Sequence, residues 1–138
     1  MLLTYKALEK IARNDFSDIV KDTALIGGRS AQPNKLRIHL KDRSFLDVWL
    51  SDEDDYSFHW EQRAVRGLVH RWDNAPDHPD IETFPHHFHD GKESNVKSSR
   101  LNTESIDAFK EVLGFIRNKL KGSHSLNQNV DILHVHLA

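Results

Sequence analysis

The sequence predicts an α+β domain in which a curved antiparallel β-meander of about 4–6 strands packs against N-terminal and C-terminal helices. Three observations predict this class. Apolar residues recur with helical spacing near both ends of the chain, they alternate with polar residues in between, and only a few residues connect the alternating segments. Connections this short can join only antiparallel neighbours.

The first two predicted elements lie before residue 30. A helix is predicted over residues 2–13, because four apolar residues have helical spacing: Leu3, Ala7, Leu8 and Ile11. Residues 18–26 are ambiguous and favour a strand that ends at Gly27-Gly28.

Alternation with a period of two predicts the meander itself. Its strands cover residues 35–41, 45–50, 56–61 and about 65–72. The aliphatic positions of the first two strands form the surface that we expect to face the helices: Leu36, Ile38, Leu40, Leu46, Val48 and Leu50.

Proline defines the segment after the meander. Pro76, Pro79 and Pro85 lie within ten residues and exclude a helix there, because each removes a backbone donor and restricts the residue before it. We therefore expect an extended loop over residues 73–91 and a polar linker over residues 92–101.

The C-terminal part of the chain predicts two elements. A helix that ends at Gly122 is predicted from apolar residues three or four apart: Ile106, Phe109, Leu113, Ile116 and Leu120. Residues 130–138 alternate again and predict one added strand. The chain thus divides into a single domain over residues 1–122 and a C-terminal extension over residues 123–138.

Composition excludes several classes of protein. The absence of cysteine excludes disulfides, thiolate zinc sites and cysteine nucleophiles. The chain has no apolar run near the ~20 residues of a membrane-spanning helix, and its start lacks the pattern of a signal peptide. We therefore expect a cytoplasmic protein that does not contact a membrane.

Histidine is concentrated in an acidic part of the chain. Residues 51–91 carry three Lys or Arg against ten Asp or Glu, and they also contain six of the ten histidines. Any binding of nucleic acid must therefore rely on a local basic surface rather than on the charge of the whole molecule.

The sheet face opposite the helices is predicted to be polar and to carry Arg37, His39, Asp47, Trp49, His59 and Arg71. Cations hold phosphates, an aromatic ring stacks on a base, and imidazoles transfer protons, so this face has the components of an RNA-cleaving site. Metal-free cleavage would use the ribose 2′-hydroxyl as the nucleophile and would need no cofactor. The alternative is an ordinary solvated sheet face.

Four histidines lie within twelve residues, at positions 78, 86, 87 and 89. If all four rings were buried and neutral, it would be difficult to provide hydrogen-bond partners for all of their nitrogens. Acid–base or phosphate chemistry is one interpretation. A metal site is another, because His87 and His89 lie on one side of an extended chain and Asp73, Asp77 or Asp90 could complete it. A purely structural role is the third.

These residues carry a resemblance. The segments RWDNAP (71–76), HP (78–79) and IETFPHH (81–87), followed by His89 and preceded by YSFHW (56–60), resemble the TumE-like toxin family of type II toxin–antitoxin systems. The resemblance runs from about Leu3 to Lys121. The chain departs from the family pattern at Asp77, where a histidine is usual, and at Phe88, where a lysine is usual. Arg43 stands where a hairpin glycine is more usual.

The resemblance implies a small growth-inhibiting toxin that acts on RNA and is neutralised by an antitoxin, often of the helix-turn-helix type. It leaves a homodimer open. On its motif, the family residues carried over include Tyr56, His59, Arg71, Asp73, Asn74, His78, His86, His87 and His89.

Together, the residues and the resemblance predict an endoribonuclease-type toxin. Its catalytic residues are predicted to be His59, Arg71, Asp73, His78, His86, His87 and His89, and its RNA-binding residues Arg37, His39, Trp49 and Lys92. His59 and one of His86, His87 or His89 would form the acid–base pair. Arg71, helped by Arg37, would hold the phosphate, and Asp73 would orient an imidazole. The alternatives are a metal-binding protein without catalysis, a toxin that transfers nucleotides, and an inactive relative kept for interaction.

Overall fold

The computed structural model describes the backbone of residues 1–136 and the side chains of residues 1–122. The elements, in chain order, are α1 (Leu2–Asp15), β1 (Val20–Ile26), β2 (Lys35–Leu40), β3 (Phe45–Leu50), β4 (Tyr56–Gln62), α2 (Arg63–Arg66), β5 (Leu68–Asp73), β6 (His87–Gly91), β7 (Val96–Ser98) and α3 (Ser105–His136). The α+β class, the first helix and the four strands of the meander are confirmed.

All seven strands form one antiparallel sheet, and their order in the sheet is their order in the chain. The strand count exceeds the predicted 4–6, because β6 lies inside the predicted loop over 73–91 and β7 inside the predicted linker over 92–101. Neither strand has an apolar alternation, so the sequence pattern gives no signal for them. Pairing with β5 orders β6, and pairing with β6 orders β7.

The helices cover one face of the sheet. The aliphatic surface that was predicted to face the helices is buried. Helix α3 packs on it through Ala108, Phe109, Val112, Leu113 and Ile116. On the same helix, the ring of Phe115 lies edge-on to the rings of Trp60, Trp72 and Phe88. Each fully buried aliphatic or aromatic side chain contributes about 1.5–3 kcal/mol to stability, so this layer dominates the fold.

The first helix is tied to the sheet by a buried hydroxyl as well as by apolar contact. Tyr5 is fully buried beside Leu8 and Ala12. Its Oη accepts the backbone N–H of Leu50 at 3.0 Å and donates to the carbonyl of Asn34 at 3.2 Å. These bonds connect α1 to the end of β3 and to the residue before β2.

The turn between β2 and β3 explains one departure from the family pattern. Arg43 has a φ of 79°, the left-handed region that glycine adopts without strain. The turn is nonetheless held, because the Asp42 carboxylate accepts hydrogen bonds from the backbone N–H and the hydroxyl of Ser44. The departure at Arg43 therefore affects this turn and leaves the rest of the sheet unchanged.

The C-terminal prediction is wrong in two respects. Helix α3 passes through Gly122, and it continues to His136, where a strand over 130–138 was expected. One glycine costs an α-helix only about 1 kcal/mol, so Gly122 does not end it. Leu126, Val130 and Leu133 are also four and three residues apart, and this spacing fits a helix. Leu137 and Ala138 lie outside the described residues.

Within the part of the chain that the structure describes, no helix combines the length and the apolar character needed to cross a membrane.

Candidate functional site

A row of charged and imidazole side chains crosses the sheet on the face away from the helices. Cross-strand pairing places Arg37 opposite Asp47, Asp47 opposite His59, His59 opposite Arg71, and Arg71 opposite His89. Residues opposite one another on neighbouring antiparallel strands have Cβ atoms about 5 Å apart. The prediction that these strands share one polar face is confirmed, and the row brings Arg71 between two imidazoles.

At the β2–β3 end of this row, the charged side chains form ion pairs with one another. The Asp47 carboxylate accepts hydrogen bonds from Nε of Arg37 at 2.7 Å and from Nζ of Lys35 at 2.8 Å. Burial alone would raise the pKa of Asp47, but these two bonds outweigh it and lower that pKa. The Arg37 guanidinium also lies 4.0 Å from the centre of the Phe45 ring. Arg37 is therefore engaged within the sheet rather than presented to a ligand.

Arg71 lies at the centre of the site and uses all three of its guanidinium nitrogens. Nε donates to Asp73 at 2.9 Å, Nη1 donates to Glu93 at 2.8 Å, and Nη2 donates to Nε2 of His89 at 3.1 Å. Burial lowers the pKa of Arg71, but the bonds to Glu93 and Asp73 outweigh burial and raise that pKa. The same contact with Arg71 lowers the pKa of Glu93.

Two buried imidazoles lie beside Arg71 on β6. His87 is 2% exposed and His89 is 4% exposed. Each donates its Nδ1–H to a backbone carbonyl, His87 to Pro85 at 2.9 Å and His89 to Glu93 at 2.8 Å. Their Nε2 atoms both face the Asp73 carboxylate, at 3.1 Å and 3.8 Å respectively. The structure therefore brings Asp73 next to both imidazoles, and its role in orienting one of them stays a prediction. Burial is the main cause that lowers the pKa of His89.

The segment between β5 and β6 folds over these groups and is held at both ends. At its start, the Asn74 side chain donates to the carbonyl of Asp54 and accepts the N–H of Tyr56, each at 3.0 Å. At its end, the Thr83 hydroxyl donates to the carbonyl of His86 at 2.6 Å. The predicted absence of a helix in this proline-rich segment is confirmed.

The folded segment encloses a hollow of about 450 Å³ that opens to solvent. Its lining includes Trp49, Asp55, Tyr56, Ser57, Arg71, Asp73, Asn74, Ala75, Pro76, Asp77, His78, His87 and His89. Trp49 is 42% exposed, so it is partly open to solvent within this lining. The hollow thus combines an aromatic surface, one arginine and three imidazoles.

The hollow also holds a group of potential metal ligands. His78, His87 and His89 each offer one nitrogen, and these three atoms lie within 4.8 Å of one another. Asp73 lies beside this group. Asp90, which the sequence also offers as a ligand, pairs instead with Lys97 and with His70, whose side chain belongs to the helix-facing side of β5.

His59 and His86 lie beside the hollow rather than in its lining. Nε2 of His59 is 3.0 Å from the Glu61 carboxylate. Nδ1 of His86 is 2.9 Å from the Tyr56 hydroxyl, and the two rings are stacked. Burial, followed by the charge of Asp73, raises the pKa of Tyr56 to about 12, so its hydroxyl stays protonated and donates to His86.

Three of the four predicted RNA-binding residues are not brought to the hollow: Arg37, which pairs with Asp47, and also His39 and Lys92. His39 lies 4.0 Å from Asp22 with its side chain 41% exposed, and it lines a separate depression with Lys21, Lys41 and Arg43. Lys92 is exposed in the turn between β6 and β7. Their use in binding RNA stays a prediction.

Sequence reasoning missed Glu93 as a site residue. Glu93 lies in the segment that was expected to be a linker, and only the β6–β7 pairing brings its carboxylate to Arg71. Tyr56 belongs to the sequence motif but not to the predicted site residues, and the structure places it in the lining of the hollow. No sequence signal identifies Glu93, whereas a tyrosine within a specific motif was a usable signal.

The comparisons with known proteins agree with this motif. The family model of "Toxin TumE" matches residues 8–120. These residues include all seven strands, the second half of α1 and the first half of α3. No curated protein shows significant similarity to the chain. No solved structure shows significant similarity either. Because the matched residues are most of the chain and include the whole row and hollow, the chain belongs to the TumE toxin family.

Proposed function

We propose that this toxin acts on RNA as an endoribonuclease and that its substrate binds in the hollow beside Arg71. Such a toxin would act in the cytoplasm, where its RNA targets are, and would be neutralised by a partner antitoxin. The observation that carries the proposal is the position of Arg71, which lies between His59 and His89 in the row and lines the hollow with the exposed Trp49.

Arg71 supplies the phosphate-binding charge in this proposal. Its bond to Glu93 is the one that a phosphate can displace, since the Glu93 side chain is half exposed in the β6–β7 turn. The bond to the buried Asp73 carboxylate holds the other side of the guanidinium in place. A phosphate oxygen at Nη1 would then receive charge-assisted hydrogen bonds, which strengthen as charge develops during cleavage.

Trp49 supplies the surface for a base. Stacking of a base on an exposed aromatic ring contributes about 1–3 kcal/mol and tolerates any base. A single-stranded nucleotide could therefore place its base on Trp49 and its phosphate at Arg71 within the same hollow.

The proton transfers are assigned to His59 and His86. His87 and His89 are poor candidates for the acid–base pair, because both ring nitrogens of each are engaged and both rings are buried. His59 and His86 each have one ring nitrogen engaged by a partner among the described side chains, which leaves the other for a substrate. His59 is also the cross-strand neighbour of Arg71.

The reaction that these groups support is attack by the ribose 2′-hydroxyl. One imidazole accepts the proton of the 2′-hydroxyl while its oxygen forms a bond to phosphorus. The bond between phosphorus and the 5′-oxygen breaks, and the other imidazolium donates a proton to that oxygen. The products are a 2′,3′-cyclic phosphate and a 5′-hydroxyl, and no water or cofactor is consumed.

The test is incubation of the purified protein with a single-stranded RNA and identification of the new ends. We expect cleavage with a 2′,3′-cyclic phosphate and no cleavage of the same oligonucleotide carrying deoxyribose. Arg71→Gln should abolish cleavage, whereas Arg13→Gln should leave it unchanged, because Arg13 lies on α1 and pairs with Glu9. Intact RNA with the wild-type protein, or equal cleavage by Arg71→Gln, would overturn the proposal.

A further inference from the structure

We infer that His78, His87 and His89 form a binding site for a divalent transition-metal ion of the Zn²⁺ class. The site lies in the hollow, but its existence does not depend on RNA cleavage. Three imidazole nitrogens within 4.8 Å of one another are the starting observation. Imidazole is a preferred ligand of Zn²⁺ and its neighbours in the first transition row.

The hydrogen bonds of the two buried rings prepare them for such an ion. Metal-binding histidines usually donate their second N–H to a carbonyl or a carboxylate, and this bond fixes the tautomer and the ring orientation. His87 and His89 both do so, through Nδ1 and a backbone carbonyl. The lone pair of a neutral ring is then carried by Nε2, and both Nε2 atoms face the hollow side of Asp73.

The Asp73 carboxylate lies against the same two nitrogens, 3.1 Å from Nε2 of His87 and 3.8 Å from Nε2 of His89. Its negative charge would attract a cation bound between these groups. Asp73 could then orient the ligands or contribute an oxygen ligand itself.

The charge of the hollow also favours a cation. Its lining holds Asp55, Asp73 and Asp77 against the single permanent cation Arg71. Glu93 adds a further carboxylate next to Arg71. A nucleic-acid phosphate would meet a net negative surface here, and a bound divalent ion would make that surface less negative.

The third ligand lies on the part of the site that can adjust. Nitrogen ligands of tetrahedral Zn²⁺ lie about 3.4 Å apart, since each bond is about 2.0–2.1 Å long. The three nitrogens must therefore approach one another by up to about 1.4 Å. His78 lies outside the sheet, in the segment between β5 and β6, so we expect its side chain to supply most of that movement, whereas His87 and His89 lie on β6.

Ion binding would also change Arg71. Nη2 of Arg71 now donates to Nε2 of His89, and a metal at that nitrogen would displace it. Arg71 would keep its bonds to Asp73 and Glu93, and Nη2 would become free to bind a phosphate oxygen. The ion thus favours an anionic ligand through its own charge and by releasing this donor.

The test measures ion binding without RNA. The full chain, purified without a histidine tag and stripped with EDTA, is titrated with ZnCl₂ by calorimetry, and bound zinc is counted after dialysis by elemental analysis. We expect one zinc per chain. His78→Ala should weaken binding by about tenfold or more, whereas His39→Ala should not, because His39 is an exposed histidine beside a carboxylate outside the hollow.

A second readout protects the test against a folding defect in the variant. Binding of Co²⁺ to the wild-type protein should produce the visible absorption of a tetrahedral nitrogen-ligated ion, and zinc should abolish it. Less than one zinc per chain in the wild type, no cobalt spectrum, or equal zinc affinity in His78→Ala would overturn the inference. RNA cleavage that ends in a cyclic phosphate is measured separately, so failure of the cation site and failure of the nuclease proposal give different results.

Discussion

The Arg71 guanidinium donates its Nη2–H to Nε2 of His89 at 3.1 Å, while the opposite nitrogen of the same ring donates to the carbonyl of Glu93 at 2.8 Å. Because the carbonyl can only accept, the tautomer of His89 is determined. The row of side chains thus ends in His89, whose imidazole orients Arg71 and has no ring nitrogen left to exchange protons with a substrate. This relationship separates the role of His89 from that of His59, on the other side of Arg71.

Replacement of Glu93 tests whether its carboxylate competes with a phosphate for Arg71. Glu93→Gln removes the charge of a half-exposed ion pair, and such pairs contribute about 0.2–1 kcal/mol. We therefore expect the affinity for single-stranded RNA to rise by about 1.4- to 5-fold. Fluorescence anisotropy with a labelled oligonucleotide measures this change.

The control for this experiment is Glu82→Gln. Glu82 also pairs with an arginine, Arg100, but both side chains of that pair are largely exposed and neither lines the hollow. Equal increases in the two variants would show a general charge effect and would contradict a specific competition at Arg71.

Replacement of Trp49 tests its role as a stacking surface. Trp49→Ala should reduce the affinity for single-stranded RNA by about 5- to 160-fold, since one stacked base contributes about 1–3 kcal/mol. The midpoint of urea unfolding should change little, because Trp49 is already 42% exposed. Unchanged RNA affinity in a folded variant would remove Trp49 from the binding surface.

The Tyr5 hydroxyl is predicted to stabilise the fold without affecting the site. Tyr5→Phe leaves the buried N–H of Leu50 without its acceptor, and an unsatisfied buried donor costs about 1–3 kcal/mol. Burial, opposed by the bond to Leu50, raises the pKa of Tyr5, so the hydroxyl is protonated at neutral pH. Urea unfolding measures the loss. A change below about 0.5 kcal/mol would show that another group satisfies Leu50.

His70 is predicted to make stability depend on pH. Burial is the main cause that lowers its pKa, and the charges of Lys119 and Arg66 add to this, while Asp90 opposes them. The folded protein therefore binds this proton less readily than the unfolded chain does. The stabilising contribution is present above the unfolded pKa of about 6.5, and it is lost as the pH falls through the lower folded value.

His70→Phe isolates this effect. Phenylalanine retains the stacking on Trp60 and Phe88 but does not titrate. The free energy of unfolding should fall less between pH 7.5 and pH 5 in the variant than in the wild type. His89 shifts in the same direction in both proteins, so its contribution cancels in the comparison. Identical pH slopes would contradict the prediction.

The periodicity of the sequence was sufficient to predict the part of the fold that positions the row. Leu36, Val48 and their neighbours alternate strictly with polar residues, so a shift of one residue would have exposed the core. That constraint also predicts that Arg37, Asp47 and His59 share the opposite face. The order of residues within the row then follows from short antiparallel connections.

The rest of the site could not be predicted, because it depends on pairing between distant segments. Strand β6 has the sequence HFHDG and contains no aliphatic residues. Only its hydrogen bonding to β5 places it in the sheet. The backbone carbonyls of Pro85 and Glu93 accept hydrogen bonds from His87 and His89 and so engage one nitrogen of each ring. The sequence does not show where such backbone acceptors will lie. The continuation of α3 was missed because V-D-I-L-H-V fits either period.

The most direct measurement of the proposed activity is the fate of cellular RNA in the minutes after the toxin is induced. With the antitoxin gene absent, RNA from cells that express the wild-type chain should show new fragments with 5′-hydroxyl ends, and cells that express Arg71→Gln at an equal level should not. Co-expression of the antitoxin should suppress the fragments. Growth arrest with intact RNA, or the same fragments from Arg71→Gln, would contradict RNA cleavage at this site.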